Sequence, residues 1–138
     1  MKERSSMDFA KTSAMEKRTH PTLGNGKICY LEIPAKDINV SSAFFKEVFG
    51  WNIRQSASKD LSFDDSVGEV SGRWVTGRSV SSFAGLLIYI MVDNISDSLA
   101  SIVDHGGKIV QPPGMEKPEM TARFSDPAGN LFGLYQEP

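Results

Sequence analysis

The sequence predicts an α+β fold in which one βαβββ unit is used twice, and three observations carry that expectation. The chain has 138 residues with 40% apolar content, enough for one domain with a core but little for two independent ones. When Asp37 is set against Asn94, Leu31-Glu32-Ile33-Pro34-Ala35 falls on Ile88-Tyr89-Ile90-Met91-Val92, and Gly50 falls on Gly107. Each half then reads in the same order: an apolar strand, a short helix introduced by Asp or Asn, a glycine stop, and further strands. With a helix covering one face of each sheet, the opposite faces are expected to curl around a cavity, the default place for a ligand.

Residues 1–26 are expected to form a flexible leader. They are rich in Lys, Arg, Ser and Thr, contain no signal-peptide core, and end in Pro21-Thr22-Leu23-Gly24-Asn25-Gly26. Phe9, Ala10 and Met15 could form a short docking helix there. The domain is placed at 27–138, with motif one over 27–80 and motif two over 84–138.

Motif one opens with period-two alternation over 27–35, which puts Tyr30 and Glu32 on one face and Cys29, Leu31, Ile33 and Ala35 on the other. Asp37 or Asn39 caps a helix whose Val40, Ala43, Phe44 and Val48 form its apolar stripe, and Gly50 stops it. Strands are expected at 51–55, 61–63 and 69–76, the last two separated by turn chemistry at Asp64-Asp65-Ser66-Val67-Gly68. Motif two repeats the plan. A β-prone strand at 86–92 leads into a helix capped by Asp93 or Asn94 and carrying Leu99, Ile102 and Val103, ended by Gly106-Gly107. Strands follow at 108–111, 121–125 and 131–136, with Asp126-Pro127-Ala128-Gly129-Asn130 as the last tight turn.

Composition excludes several function classes. A net charge of −2 with interspersed signs offers no basic stripe for nucleic acid and no polybasic run for a membrane surface. No run approaches the roughly 18 apolar residues of a membrane span. The single cysteine, Cys29, precludes an internal disulfide and fits a reducing cytoplasm, where it reads as a small buried hydrophobe. His105, at the end of the second helix, complements that helix's C-terminus.

The order Glu32-Ile33-Pro34, Asp37, Phe44-Phe45, Phe49-Gly50-Trp51, Gly106-Gly107-Lys108 and Phe124-Ser125-Asp126-Pro127-Ala128-Gly129-Asn130-Leu131-Phe132-Gly133-Leu134 resembles the vicinal oxygen chelate superfamily. Within it the chain is similar to short, single-domain proteins of the glyoxalase and bleomycin-resistance type. The resemblance implies paired βαβββ motifs, a homodimer, and, in the enzymes of the family, one divalent metal held by His, Glu or Gln. The four ligand positions it implies fall on Tyr30, on Leu87 by the same 57-residue shift, on Gly133, and, with Gly68-Glu69-Val70-Ser71-Gly72 set against Gly129-Asn130-Leu131-Phe132-Gly133, on Gly72. Leucine and glycine side chains offer no donor and a lone phenol is a poor ligand, so no metal and no other cofactor is expected.

By strand parity Tyr30, Glu32, Trp74, Leu87, Tyr89, Met91, Leu131 and Tyr135 should line the cavity, an aromatic and sulfur-bearing surface with few charges. Glu32 is its acid. Apolar neighbours would raise its pKa and suit it to general acid or base work; otherwise it binds a polar ligand group or anchors Arg123 of the penultimate strand. The same parity sends Ser71 and Arg73 toward a helix, a misfit that points to a shifted or bulged fourth strand. The favoured reading is a metal-free, cytoplasmic homodimer that binds a small organic molecule. The rival is an enzyme of the same superfamily, lactoylglutathione lyase-like, an isomerase or a dioxygenase, acting through Glu32 or through a metal.

Overall fold

A computed structural model describes residues 21–83, 85–114 and 120–137. The expectation for Phe9, Ala10 and Met15 lies outside these residues. Motif one consists of β1 (Tyr30–Pro34), α1 (Ile38–Phe49), β2 (Asn52–Gln55), β3 (Leu61–Asp64) and β4 (Ser71–Val75). Motif two consists of β5 (Tyr89–Val92), α2 (Ile95–Asp104), β6 (Lys108–Gln111), β7 (Met120–Ser125) and β8 (Leu131–Gln136). Both units are βαβββ, as the internal echo predicts. Sheet one has the order β1-β4-β3-β2 and sheet two β5-β8-β7-β6, each mixed because its first strand runs parallel to its last.

The caps fall where the side chains dictate. Asp37 accepts hydrogen bonds from the backbone N–H groups of Asn39 and Val40, and Asn94 accepts one from that of Asp97, so each satisfies donors orphaned at a helix start. Gly50, in the left-handed region at φ 70°, closes α1. The buried faces differ slightly from expectation. In α1 it is Ser41, Ser42, Phe44 and Phe45 that are buried, while Val40 is exposed; in α2 Ile95, Leu99 and Ile102 are buried and Val103 is exposed.

Both helices lie between the sheets. Phe45 stacks on Trp51 at 4.5 Å and meets Phe132 of β8 edge-on at 5.5 Å, while Phe44 reaches Phe124 of β7 at 6.1 Å. Trp51 continues onto Phe63, and Phe63 onto Trp74, so one aromatic core runs from sheet one through α1 to sheet two. The two motifs therefore share a core within one chain. The sheets do not close into a barrel, and the face of each that turns away from the helices is left exposed, with Tyr30 50%, Tyr89 43% and Met91 68% accessible.

A second tie joins the motifs at the turn after β7. The Asp126 side chain accepts from the backbone N–H groups of Ala128, Gly129 and Asn130 at 3.1, 3.0 and 2.8 Å. Asn130 in turn donates its side-chain amide to the Pro34 carbonyl at 2.7 Å and accepts from the Ser81 N–H. Burial pushes the Asp126 carboxyl above its ordinary range, against the lowering effect of those hydrogen bonds. Cys29 lies just before β1 and is exposed, because the strand begins one residue later; it is not the buried hydrophobe its alternating pattern suggests.

Candidate functional site

The outer faces of the two sheets carry most of the residues singled out from sequence. On sheet one Tyr30 is in register with Ser71, Leu31 with Gly72, Glu32 with Arg73 and Ile33 with Trp74. This is one residue away from the register that the glycine pattern implies. The cause is the preceding turn. In motif two the Asp126 N–H bonds the Asn130 carbonyl, whereas in motif one the Asp65 N–H bonds the Val70 carbonyl, so the first turn holds one residue more. Aligning Gly68 and Gly72 with Gly129 and Gly133 ignores that extra residue.

Two corrections follow. Gly72 points toward the helices, where a Cβ would run into the Leu31 carbonyl and the Phe63 ring, and the position on the outer face equivalent to Gly133 is Arg73. Trp74 is not on the cavity face but in the core, 3% exposed against Phe45 and Phe63. The Ser71 and Arg73 misfit disappears with the same shift, since both stand on the outer face beside Tyr30 and Glu32.

Glu32 has a different neighbourhood from the apolar one expected. Arg73 donates to Oε2 at 3.1 and 3.0 Å and Arg78 to Oε1 at 2.9 Å, and hydrogen bonds from Arg78 and then Arg73 hold its carboxyl below the usual range. A carboxylate clamped by two guanidinium groups resists protonation, the opposite of what a proton shuttle near neutrality needs. Arg123 is not its partner.

On sheet two Tyr89 is in register with Gly133, Met91 with Tyr135, and Arg123 with Gly133 from the other side. Gly133 is buried beneath the Tyr89 ring: a Cβ there would stand 2.5 Å from Tyr89 Cδ1 and 2.6 Å from Cε1. Glycine is required at this point because the ring occupies the space above it. Tyr135 is half-buried and donates its hydroxyl to Glu137 at 2.7 Å. Leu131 shares this face with Ser125, its register partner on β7. Leu87 precedes β5 and is half-buried. The structure thus gathers Tyr89, Met91, Arg123, Leu131 and Tyr135 on one surface and Tyr30 with Glu32 on another, the two facing away from each other across the core.

A cavity of about 810 Å³ opens between the motifs, walled by Leu31, Phe49, Trp51, Phe63, Ile88 and Ile90, with Asp65, Asp93 and Asp97 among its polar lining. Tyr89 and Met91 reach it because β5 is an edge strand. The cavity therefore meets the outer face of sheet two at that edge. Sequence reasoning missed Phe49, Trp51 and Phe63 as cavity walls, since aromatic residues on inward faces carry no sign of whether they fill space or bound it.

The fold and the matching segment agree on the family. Residues 27–134 match the model of the Glyoxalase/Bleomycin resistance protein/Dioxygenase superfamily. The chain belongs to that superfamily. No curated protein matches the sequence. Among solved structures, a glyoxalase/bleomycin resistance protein/dioxygenase family enzyme from Burkholderia phytofirmans PsJN is 20% identical with a TM-score of 0.65, over 78% of this chain and 95% of that one. The fosfomycin resistance protein FosX from Mesorhizobium loti is 15% identical with a TM-score of 0.65, over 84% and 95%. The hypothetical protein SA1046 from S. aureus is 16% identical with a TM-score of 0.67, over 81% and 94%. At such identities the likeness is one of fold.

The metal of the superfamily's enzymes does not fit the residues present. With the register corrected, the four positions that the resemblance implies become Tyr30, Arg73, Leu87 and Gly133: a phenol, a cation, a hydrocarbon and a ring-covered glycine. A guanidinium has no lone pair to offer and repels a divalent cation. Among the described residues no three of His, Cys, Asp and Glu are grouped to hold a metal ion. No helix among them is long and apolar enough to cross a membrane.

Proposed function

We propose that this superfamily member binds a small organic molecule without a metal, as a cytoplasmic homodimer that does not engage nucleic acid. The observation that carries the reading is the Tyr89 ring lying over Gly133. It fills with an aromatic surface the point where a metal ligand would project, beside Met91, Tyr135 and Leu131. The outer faces support the dimer: apolar and aromatic side chains at Tyr30, Tyr89 and Met91 are exposed in one chain, and a second copy placing its sheet one against sheet two would enclose them. The lone thiol and the interspersed charges support the cytoplasmic setting.

Elemental analysis of the purified protein, followed by thermal unfolding with nickel, zinc, manganese and iron added in turn, tests the metal-free part. The expected result is substoichiometric metal and an unchanged melting temperature. Stoichiometric metal that raises the melting temperature would sink it and place the protein with the metal-dependent enzymes. Proton transfer through Glu32 gains no support from its double guanidinium clamp.

A further inference from the structure

Sheet one balances its charges and sheet two does not. In sheet one Arg54 is paired with Asp64 at 2.9 Å, and Arg73 with Glu32, which also takes Arg78. The strands of sheet two read YIMV, KIVQ, MTARFS and LFGLYQ: no acidic residue, and two cations, Lys108 and Arg123. Arg123 stands in the middle of the outer face. Its register partners are Gln111 on β6 and Gly133 on β8, and Gly133 is in turn opposite Tyr89, so one row runs Gln111, Arg123, Gly133, Tyr89. Gly133 has no side chain, and the Tyr89 ring lies over it, so that ring stands next to Arg123 in the row toward the edge of the sheet.

Arg123 Nε is buried without a hydrogen-bond partner, and no carboxylate among the described residues pairs with the guanidinium. Buried polar atoms in folded proteins nearly always have a partner, so an orphan in the centre of a candidate ligand surface points to a group that the chain itself does not supply. The guanidinium offers five donors in a rigid fork and no acceptor, and the fork matches a carboxylate, sulfonate or phosphate. Lys108, in register with Ser125 one row away, adds a second positive charge at the edge of the same face. Exposed Tyr89 and Met91 supply flat, polarizable area for a ring.

We infer that the outer face of sheet two takes an aromatic anion, its acid group on Arg123 and its ring against Tyr89 and Met91. The inference rests on the small-molecule reading above and names the ligand's class. The test titrates the full-length protein with two fluorescent probes, the aromatic sulfonate 8-anilinonaphthalene-1-sulfonate and the uncharged dye Nile red, in low and high salt. The sulfonate should bind the wild type with an affinity that falls as salt rises, and Arg123→Met should weaken it about tenfold or more, the scale of a lost charge-assisted hydrogen bond. Nile red should be held equally by both proteins. If Arg123→Met leaves the sulfonate affinity unchanged while both dyes bind, the anionic class is wrong and the small-molecule reading stands. If neither dye binds the wild type, both fall. Should Arg123→Met fail to fold, Arg123→Lys and the salt series on the wild type decide, and salt-independent sulfonate binding overturns the inference.

Discussion

The Tyr89 ring covers Gly133 so closely that any side chain at position 133 must begin inside it, 2.5 Å from Cδ1. The family resemblance implies a metal-ligand position here, and the ring leaves no room for a ligand side chain to project from it. Gly133→Glu should therefore not restore a metal site. It should destabilise the protein by about 1–3 kcal/mol, the usual cost of forcing atoms into a packed site. Adding Tyr89→Ala to Gly133→Glu should return most of that loss. Chemical denaturation of the two single variants and the double variant checks this, and additive losses would show that the ring is not the obstacle.

Asp126 is the acceptor that closes the last turn, and through Asn130 that turn holds the end of β1. Asp126→Ala removes the side-chain acceptor of the Ala128 and Asn130 N–H groups, while the Gly129 N–H keeps its bond to the Asp126 backbone carbonyl; the cost is on the order of 1–3 kcal/mol for each of the two that stays buried. The loss should exceed that of Asp126→Asn, whose side-chain oxygen can still accept. Equilibrium unfolding in urea measures both. Equal stability of the two variants would mean that water replaces the carboxylate freely.

The acid limb of the stability curve should contain opposing contributions. Glu32 has its pKa lowered by Arg78 and Arg73, so between its folded value and the ordinary 4.5 the unfolded chain holds more protons than the folded one. Its contribution is present above 4.5 and is lost as pH falls through the lowered value. Asp126 is raised by burial, so its sign is reversed: the folded state gains from protonation, and stability from this group declines as pH rises from 3.8 through the raised value. Melting curves of wild type and Glu32→Gln should thus converge as pH falls below 4.5 and separate above it, and a gap that widens in acid would refute the clamp.

Much of this arrangement was legible in the sequence, and the part that was not has a local cause. Asp37, Asn94 and the Asp126-Pro127-Ala128-Gly129-Asn130 turn act through their own side chains on backbone groups a few residues away, so they place helices and strand ends without reference to the rest of the molecule. The register of β4 depends instead on how many residues the preceding turn closes over. Matching glycines at 68 and 72 with 129 and 133 hid the extra residue between Asp65 and Val70, and that slip moved Trp74 out of the core and Arg73 off the outer face. Glu32 followed from the same error, since its partner Arg73 was placed on the wrong side. Arg123 could be placed on its face from parity, but its lack of a partner is visible only once Glu32 is seen to be taken.

Met91 decides the proposed dimer. It is 68% exposed on an edge strand, beside Tyr89 and across from Tyr135, and a solvated methionine in that setting adds nothing to the stability of one chain. If a second copy covers it, Met91→Lys buries an unpaired ammonium in the interface and should convert the dimer to monomer while the unfolding curve of the monomer stays within about 0.5 kcal/mol, as for a surface substitution. Val103→Lys, on the exposed face of α2, serves as the control because that face is not a sheet surface. Sedimentation velocity should find dimer for wild type and Val103→Lys and monomer for Met91→Lys. A wild-type monomer, or a Met91→Lys dimer, would remove the second copy from the outer face of sheet two and leave any ligand there to be held by Tyr89, Arg123 and Tyr135 of one chain alone.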